Sequence, residues 1–227
     1  MDAAALIDID GTLIDSNLLY VLAWRRAFQR IGKQIDSTAI LHKIGMGGDK
    51  LIPAVLGNEA RQVGEQVHRF YRQEYHDKGL IEHVEATPGA AAMLRAFKSQ
   101  GVRVALASSA QQADVERYLE LLGGREAVDV VITHADVSAT KPDPDLFLAA
   151  LERLGQPKRV IVIGDSIYDI EAARKVGLPC VAVLTGGIER QVLEQAGAVT
   201  VFDSPAAIAA ELEAVLPLFY EEPHRRM

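Results

Sequence analysis

The sequence predicts an α/β fold: a parallel sheet flanked by helices and interrupted once by an inserted α-helical cap. Three observations predict it. Apolar runs alternate with amphipathic helical patterns from about residue 85 onward, and one further apolar run opens the chain. Between Ser16 and Val84 only helical patterns occur. Several apolar runs end in acids, serines or a lysine-bearing stretch. Strands alternating with helices imply right-handed parallel crossovers, and ligands of such sheets lie beyond the carboxyl ends of the strands. The expected division is a core of residues 1–15 and 85–227 and a cap of residues 16–84, with hinges near Asp15-Ser16 and Glu85-Ala86.

The first apolar run, Leu6-Ile7-Asp8-Ile9-Asp10-Gly11-Thr12, ends in two acids spaced i, i+2. In an extended strand both leave one face, so both carboxylates can meet one metal ion and one substrate group. Acids also finish strands and start turns, and the pair alone leaves both readings open. In the cap, Tyr20, Trp24, Ala27, Phe28 and Ile31 form one helical stripe ended by Gly32, and Val63, Val67, Phe70 and Tyr71 form another. These aromatics read as cap packing. Between the stripes, Gly45-Met46-Gly47-Gly48-Asp49-Lys50 reads either as a substrate-reading loop, with Lys50 meeting an anionic group, or as a connector with a solvated lysine.

Beyond the cap, Thr87 with Pro88 reads as the start of a helix that buries Ala91, Leu94 and Phe97 and stops at Gly101. Strand 102–107 ends in Ser108-Ser109, each suited to capping a helix or to binding an oxyanion. A helix carrying Val115, Tyr118, Leu119 and Leu122 ends at Gly123-Gly124, and strand 128–132 follows. Pro142 biases Lys141 away from helical geometry, so its side chain can project from an extended loop. Asp143 is expected to cap the helix bearing Leu146, Phe147, Ala150, Leu151 and Leu154. Strand 160–163 runs into Gly164-Asp165-Ser166-Ile167-Tyr168-Asp169, where Asp165 suits an N-cap or a metal ligand and Asp169 a first-turn acid. Strands 179–183 and 198–202 complete the pattern, with helices around Ile170–Val176 and Val192–Ala196. The polar tail Glu221–Met227 reads as frayed.

The chain has 227 residues, 49% of them hydrophobic, enough for one domain with a smaller insert. A net charge of -7 opposes general binding to nucleic acid or anionic membrane. No apolar run approaches a membrane span, and the first strand begins too early for a signal segment. Cys180 cannot form an internal disulfide and reads as a small buried residue, so a cytoplasmic location is expected.

Taken in order, Asp8-x-Asp10, Ser108, Lys141 and Asp165 with Asp169 resemble the motif set of the haloacid dehalogenase-like superfamily of phosphotransferases, over the whole chain. Within it the pattern looks most like small-cap phosphatases related to phosphoglycolate phosphatase and β-phosphoglucomutase. The resemblance implies a Rossmann-like core and Mg²⁺-dependent hydrolysis of a small phosphorylated metabolite through an aspartyl-phosphate. It implies Asp8 as nucleophile and Asp10 as general acid and base. Asp8, Asp165 and the Asp10 carbonyl would hold the metal, with Asp169 behind them. Ser108 and Lys141, with Ser109 as a further candidate, would hold the phosphoryl oxygens. Charge supports this set: two unit charges at roughly 4 Å repel by about 4 kcal/mol at an effective dielectric near 20, so a phosphate among carboxylates requires a divalent cation and a lysine. Hard oxygen donors suit Mg²⁺.

The expected partner is the small metabolite alone, the assembly a monomer or homodimer. The rival readings are a β-phosphoglucomutase-like phosphomutase and a phosphonoacetaldehyde hydrolase, suggested by Met46-Gly47-x-x-Lys50. Asp10 argues against the latter, because a carbon leaving group needs no such proton donor. A non-enzymatic binding protein is the least supported reading, since no member of the acid and lysine set is missing.

Overall fold

A computed structural model describes residues 2–219; the tail 221–227 lies outside them. Six strands form one parallel sheet: β1 (Ala3–Ile7), β4 (Arg103–Ala107), β5 (Val130–Ile132), β6 (Arg159–Gly164), β7 (Cys180–Val183) and β8 (Thr200–Phe202). Their order is β5-β4-β1-β6-β7-β8, so β1 is central. Every residue of β1 is buried, as a strand covered on both faces requires. Its side chains alternate between two apolar layers: Ala3, Ala5 and Ile7 pack in one, Ala4 and Leu6 in the other.

The inserted region carries α1 (Asn17–Gln29), α2 (Ser37–Leu41), α3 (Gly48–Leu56) and α4 (Ala60–Arg72), followed by a π-helical turn, Gln73–Asp77. It is entered and left through a two-stranded antiparallel ribbon, β2 (Ile14–Asp15) with β3 (Glu85–Ala86). The expected stripe of α1 is real packing: Tyr20, Trp24, Ala27 and Phe28 are buried, in the same apolar cluster as Ile7, Leu106 and Ile163 of the sheet. Cap and core therefore share one continuous hydrophobic cluster.

The crossovers are α5 (Ala90–Ser99), α6 (Gln112–Leu122), α7 (Asp145–Arg153), α8 (Ile167–Lys175) and α9 (Arg190–Ala196), with α10 (Pro205–Ala210) and α11 (Leu212–Val215) closing the described chain. Two expected helix starts are corrected. Thr87 does not cap α5: its hydroxyl donates to Thr12 O at 2.8 Å, and α5 begins two residues beyond Pro88 with Gly89 at the N-cap. Asp143 does not cap α7: Pro144 holds that position, while Asp143 pairs with Lys50 and Lys175. In both cases the side chain is engaged by a tertiary partner and not by the helix backbone.

Gly89 has φ +81, and a Cβ there would lie 2.4 Å from Ala206 Cα in α10. The replacement Gly89→Ala meets both an unfavourable backbone region and a backbone atom that cannot yield. It should lower unfolding free energy by more than about 1 kcal/mol, read from the denaturant midpoint at constant m-value.

Candidate active site

The register of the sheet assembles the site. Ile7 pairs with both Leu106 and Ile163, and Asp8 N donates to Ile163 O at 2.9 Å. The residues that follow these strand ends, Asp8, Ser108 and Asp165, therefore emerge side by side. Carboxylate oxygens of Asp8, Asp165 and Asp169 lie within 4.8 Å of one another. All three acids are buried, with relative exposures of 4%, 1% and 0%.

Lys141 reaches this cluster from the loop before α7. Its Nζ pairs with Asp8 Oδ1, lies 2.8 Å from Asp169 Oδ1 and donates to Ala107 O at 3.0 Å. Burial opposes its charge, but Asp169 and Asp8 outweigh that and hold its pKa above the usual lysine value. Asp169 also closes a capping box with Ser166 at the start of α8, so one acid both caps a helix and faces the cluster. Asp165 accepts from Thr12 Oγ1 at 3.2 Å and Asn17 Nδ2 at 2.9 Å. Gly186 closes over it: a Cβ there would fall 1.8 Å from Asp165 Oδ2.

One lysine does not neutralise these acids. Burial pushes Asp8 well above the ordinary carboxylate range despite Lys141, and burial together with Asp169 pushes Asp165 up to about 7. Asn17 Oδ1 is buried without a hydrogen-bond partner among the described residues. A compact, uncompensated set of hard oxygens fits a divalent cation, which would neutralise the surplus charge.

Asp10 is held differently. Ser16 Oγ donates to Oδ1 and Ser108 Oγ to Oδ2, both at 2.9 Å. Burial raises its pKa, opposed by the hydroxyls of Ser16, Ser108 and Tyr20. Ser108 also accepts from Ala110 N at 2.9 Å, so its hydroxyl is committed to Asp10 and its own loop. Ser109 Oγ is buried and unpartnered among the described residues, in a residue that lines the cavity.

That cavity, of about 160 Å³, has Asp8 and Asp10 in its wall together with Tyr20, Trp24, Tyr71 and Arg72 from the cap. It shares Arg72, His68, His76 and Asp114 with a larger groove of about 1230 Å³ between cap and core. Burial and Arg72 hold His68 and His76 below the usual imidazole range. Lys50 lies elsewhere, paired with Asp143 at 2.8 Å and outside the lining of either cavity.

The structure thus brings Asp8, Asp10, Lys141, Asp165 and Asp169 together with Ser108 and Ser109, and leaves Lys50 apart. Sequence reasoning missed Ser16 and Asn17, which supply polar contacts from the first turn of the cap, and it read Tyr20 only as packing. Asp-x-Asp-Gly-Thr marks Thr12 by position, whereas nothing local marks Asn17, whose partner is 148 residues away.

Acids, a lysine and hydroxyls at the carboxyl edge of a parallel sheet, beneath a helical cap, define an enzyme that handles an anionic group. The family model described as haloacid dehalogenase-like hydrolase matches residues 5–183. The phosphorylated carbohydrates phosphatase of Thermotoga maritima is 30% identical over 217 residues, covering 94% of this chain and 99% of that protein. The fructose-1-phosphate phosphatase YqaB of Escherichia coli is 30% identical over 186 residues, 80% and 96% of the two chains. A crystal structure of a hydrolase from Pseudomonas syringae superposes with a TM-score of 0.85 at 32% identity, over 94% and 99%. The chain belongs to the haloacid dehalogenase-like hydrolase family. Its enzyme class is that family's phosphatase.

With a raised carboxylate the sign of the pH dependence is fixed. The folded state binds protons more tightly than the unfolded chain between the ordinary carboxylate range and about 7, so stability falls as pH rises through that window. In chelator, the Tm should drop between pH 5 and pH 8. Mg²⁺ should restore more of it at pH 8 than at pH 5, and Asp165→Asn should flatten the chelator profile, all measurable by scanning calorimetry.

Proposed function

We propose that this hydrolase is a Mg²⁺-dependent phosphatase that cleaves a small phosphate monoester through an aspartyl-phosphate on Asp8. The observation that carries the reading is that Asp8, paired with Lys141, and Asp10, fixed by two serine hydroxyls, share one cavity wall. Asp8 Oδ attacks phosphorus as the ester P–O bond breaks, and Asp10 gives its proton to the departing alkoxide oxygen. Asp10 then takes a proton from water as that water attacks the acyl phosphate, releasing inorganic phosphate and regenerating Asp8. Lys141 offsets the charge on the phosphoryl oxygens, and the free hydroxyl of Ser109 is placed to donate to them. Asp8, Asp165, Asp169 and the Asp10 carbonyl would hold Mg²⁺, whose chemistry there is charge neutralisation at the phosphoryl group.

Hydrolysis is favoured over phosphomutase chemistry because the small cavity continues into the wide groove, which gives water a path to the acyl phosphate. The phosphonoacetaldehyde reading needs an amine in the cavity, and Lys50 is turned toward Asp143. The relatives that act on fructose 1-phosphate and other phosphorylated carbohydrates support a sugar phosphate or similar metabolite as substrate. Its distal end would meet Arg72 and His68.

Asp8→Asn should abolish phosphate release while leaving the far-ultraviolet circular dichroism unchanged; persistent turnover would remove Asp8 as nucleophile. Replacing Asp10 by Asn should slow cleavage of alkyl phosphates by about 10²–10⁴-fold, read as phosphate released with Mg²⁺ present. In a panel of phosphorylated metabolites, Arg72→Ala should reorder substrate preference by KM and Lys50→Ala should not. A reordering by Lys50→Ala alone would return the selectivity role to Lys50, whose neighbours Gly45–Asp49 line the cavity.

A further inference from the structure

The turn that carries Lys141 is held from the cap at both ends. Asp143 N donates to Thr140 O at 3.0 Å, so residues 140–143 form a tight turn with Lys141 and Pro142 between its ends. Thr140 is 1% exposed, and its hydroxyl meets two cap groups: it accepts from Gly47 N at 3.2 Å and donates to Asp49 Oδ1 at 2.6 Å. The donor directions are fixed, because an amide N–H only donates and a carboxylate ion only accepts. At the far end of the turn Asp143 pairs with Lys50 at 2.8 Å.

The hydroxyl needs a physical account. Valine would fill the same space without burying a polar atom, and Thr140 lines neither cavity, so its hydroxyl is not placed to touch substrate. The cap is shaped to reach it. A Cβ on Gly47 would lie 2.5 Å from Thr140 Oγ1 and 2.6 Å from Asp49 Oδ1, so only glycine permits this approach. Lys141 supplies the reason for the contact. Its ammonium has three acceptors, in Asp8, Asp169 and Ala107 O, but it stands on a flexible four-carbon stem. Where the ammonium rests therefore depends on where the main chain beneath it is fixed.

We infer that Thr140 is a positioning residue: clasped by Gly47 and Asp49 of the cap, it fixes the turn from which Lys141 reaches Asp8. This rests on the phosphoryl-binding role proposed for Lys141. The clasp is complete only when the glycine-rich segment is seated on the core, so seating the cap sets the lysine. Because every substrate presents the same phosphoryl group, the effect is independent of the leaving group. A displacement of about 1 Å at a charged catalytic contact is enough to cost a large factor in rate.

Two replacements of Thr140 test this. Thr140→Val keeps the shape and removes the hydroxyl, whereas Thr140→Ser keeps the hydroxyl and removes the methyl group. Thr140→Val should lower kcat roughly tenfold, the scale of one hydrogen bond to a charged group, and by the same factor on a sugar phosphate and on p-nitrophenyl phosphate. It should also weaken the affinity for inorganic phosphate, measured by titration calorimetry. Thr140→Ser should retain both properties. A loss confined to the KM of the sugar phosphate would mean that the clasp only seats the cap, and a serine variant worse than the valine would mean that the methyl group only packs; either result overturns the inference. Asp49→Ala removes the acceptor from the cap side and should reproduce the valine phenotype, which provides the reading if Thr140→Val is unfolded by circular dichroism. Combining the two should cost no more than the larger single loss, since both break one bond. Lys141→Met separates the two levels. If it leaves phosphate affinity intact, the proposed role of Lys141 is lost; if it removes that affinity and the Thr140 and Asp49 variants do not change it, only the clasp is rejected.

Discussion

The structure depends on one constraint: buried negative charge at the end of the central strands. Asp8, Asp165 and Asp169 converge where β1 and β6 stop, with Asp10 close by and Lys141 the cation that pairs with them. Such a set is unfavourable in the absence of a cation, since burial alone raises the carboxylate pKa values. The surrounding chain offsets it with many weak donors. Thr12, Asn17, Ser16, Ser108 and Ser166 each give a hydrogen bond to one of the acids. Each bond contributes modestly, but together they fix carboxylate orientations before any ligand arrives, which is what electrostatic catalysis requires.

The same constraint accounts for how the cap is attached. Its first helix begins with Ser16 as N-cap and Asn17, which are also partners of Asp10 and Asp165, so the cap starts inside the site. A second attachment lies beside the lysine. Thr140 accepts from Gly47 N at 3.2 Å and donates to Asp49 at 2.6 Å, while Lys50 pairs with Asp143. Cap contacts therefore flank Lys141 on both sides along its loop. The exposed Lys50–Asp143 pair is worth little in stability. Its position ties the glycine-rich segment to the loop that carries the lysine.

Much of this was legible in the sequence, and what was not has a common cause. The β1, β4 and β6 strands announce themselves as apolar runs, and their polar ends mark Asp8, Asp10, Ser108 and Asp165 because topology sends every such end to one edge. Lys141 was marked by Pro142 and Asp169 by its place in a first helical turn. Lys50 stood between a substrate-reading and a solvated role in the sequence, and only the fold shows Asp143 opposite it. Thr87 and Asp143 misled as helix caps for a related reason: each side chain is engaged by a partner distant in sequence. Asn17 carried no signal, since its two partners, Asp165 and Gly186, are brought to it only by the fold.

Tyr20 shows why a hydrophobic stripe hides polar contacts. By spacing it belongs with Trp24 and Phe28, and its ring does pack in that cluster. A tyrosine can satisfy a stripe with its ring and a polar partner with its hydroxyl, because the two ends lie several ångströms apart. Periodicity reads only the ring. The hydroxyls of Tyr20, Tyr75 and Tyr118 come from residues far apart in sequence, and only the seated cap brings them together. Apolar burial thus supplies the force that docks the cap, and a few polar atoms stand at the margin of that surface, among them the Ser16 hydroxyl that donates to Asp10. Covering a charged site with an aromatic surface also lowers the local dielectric around it, so each hydroxyl aimed at Asp10 counts for more with the cap in place than it would in water.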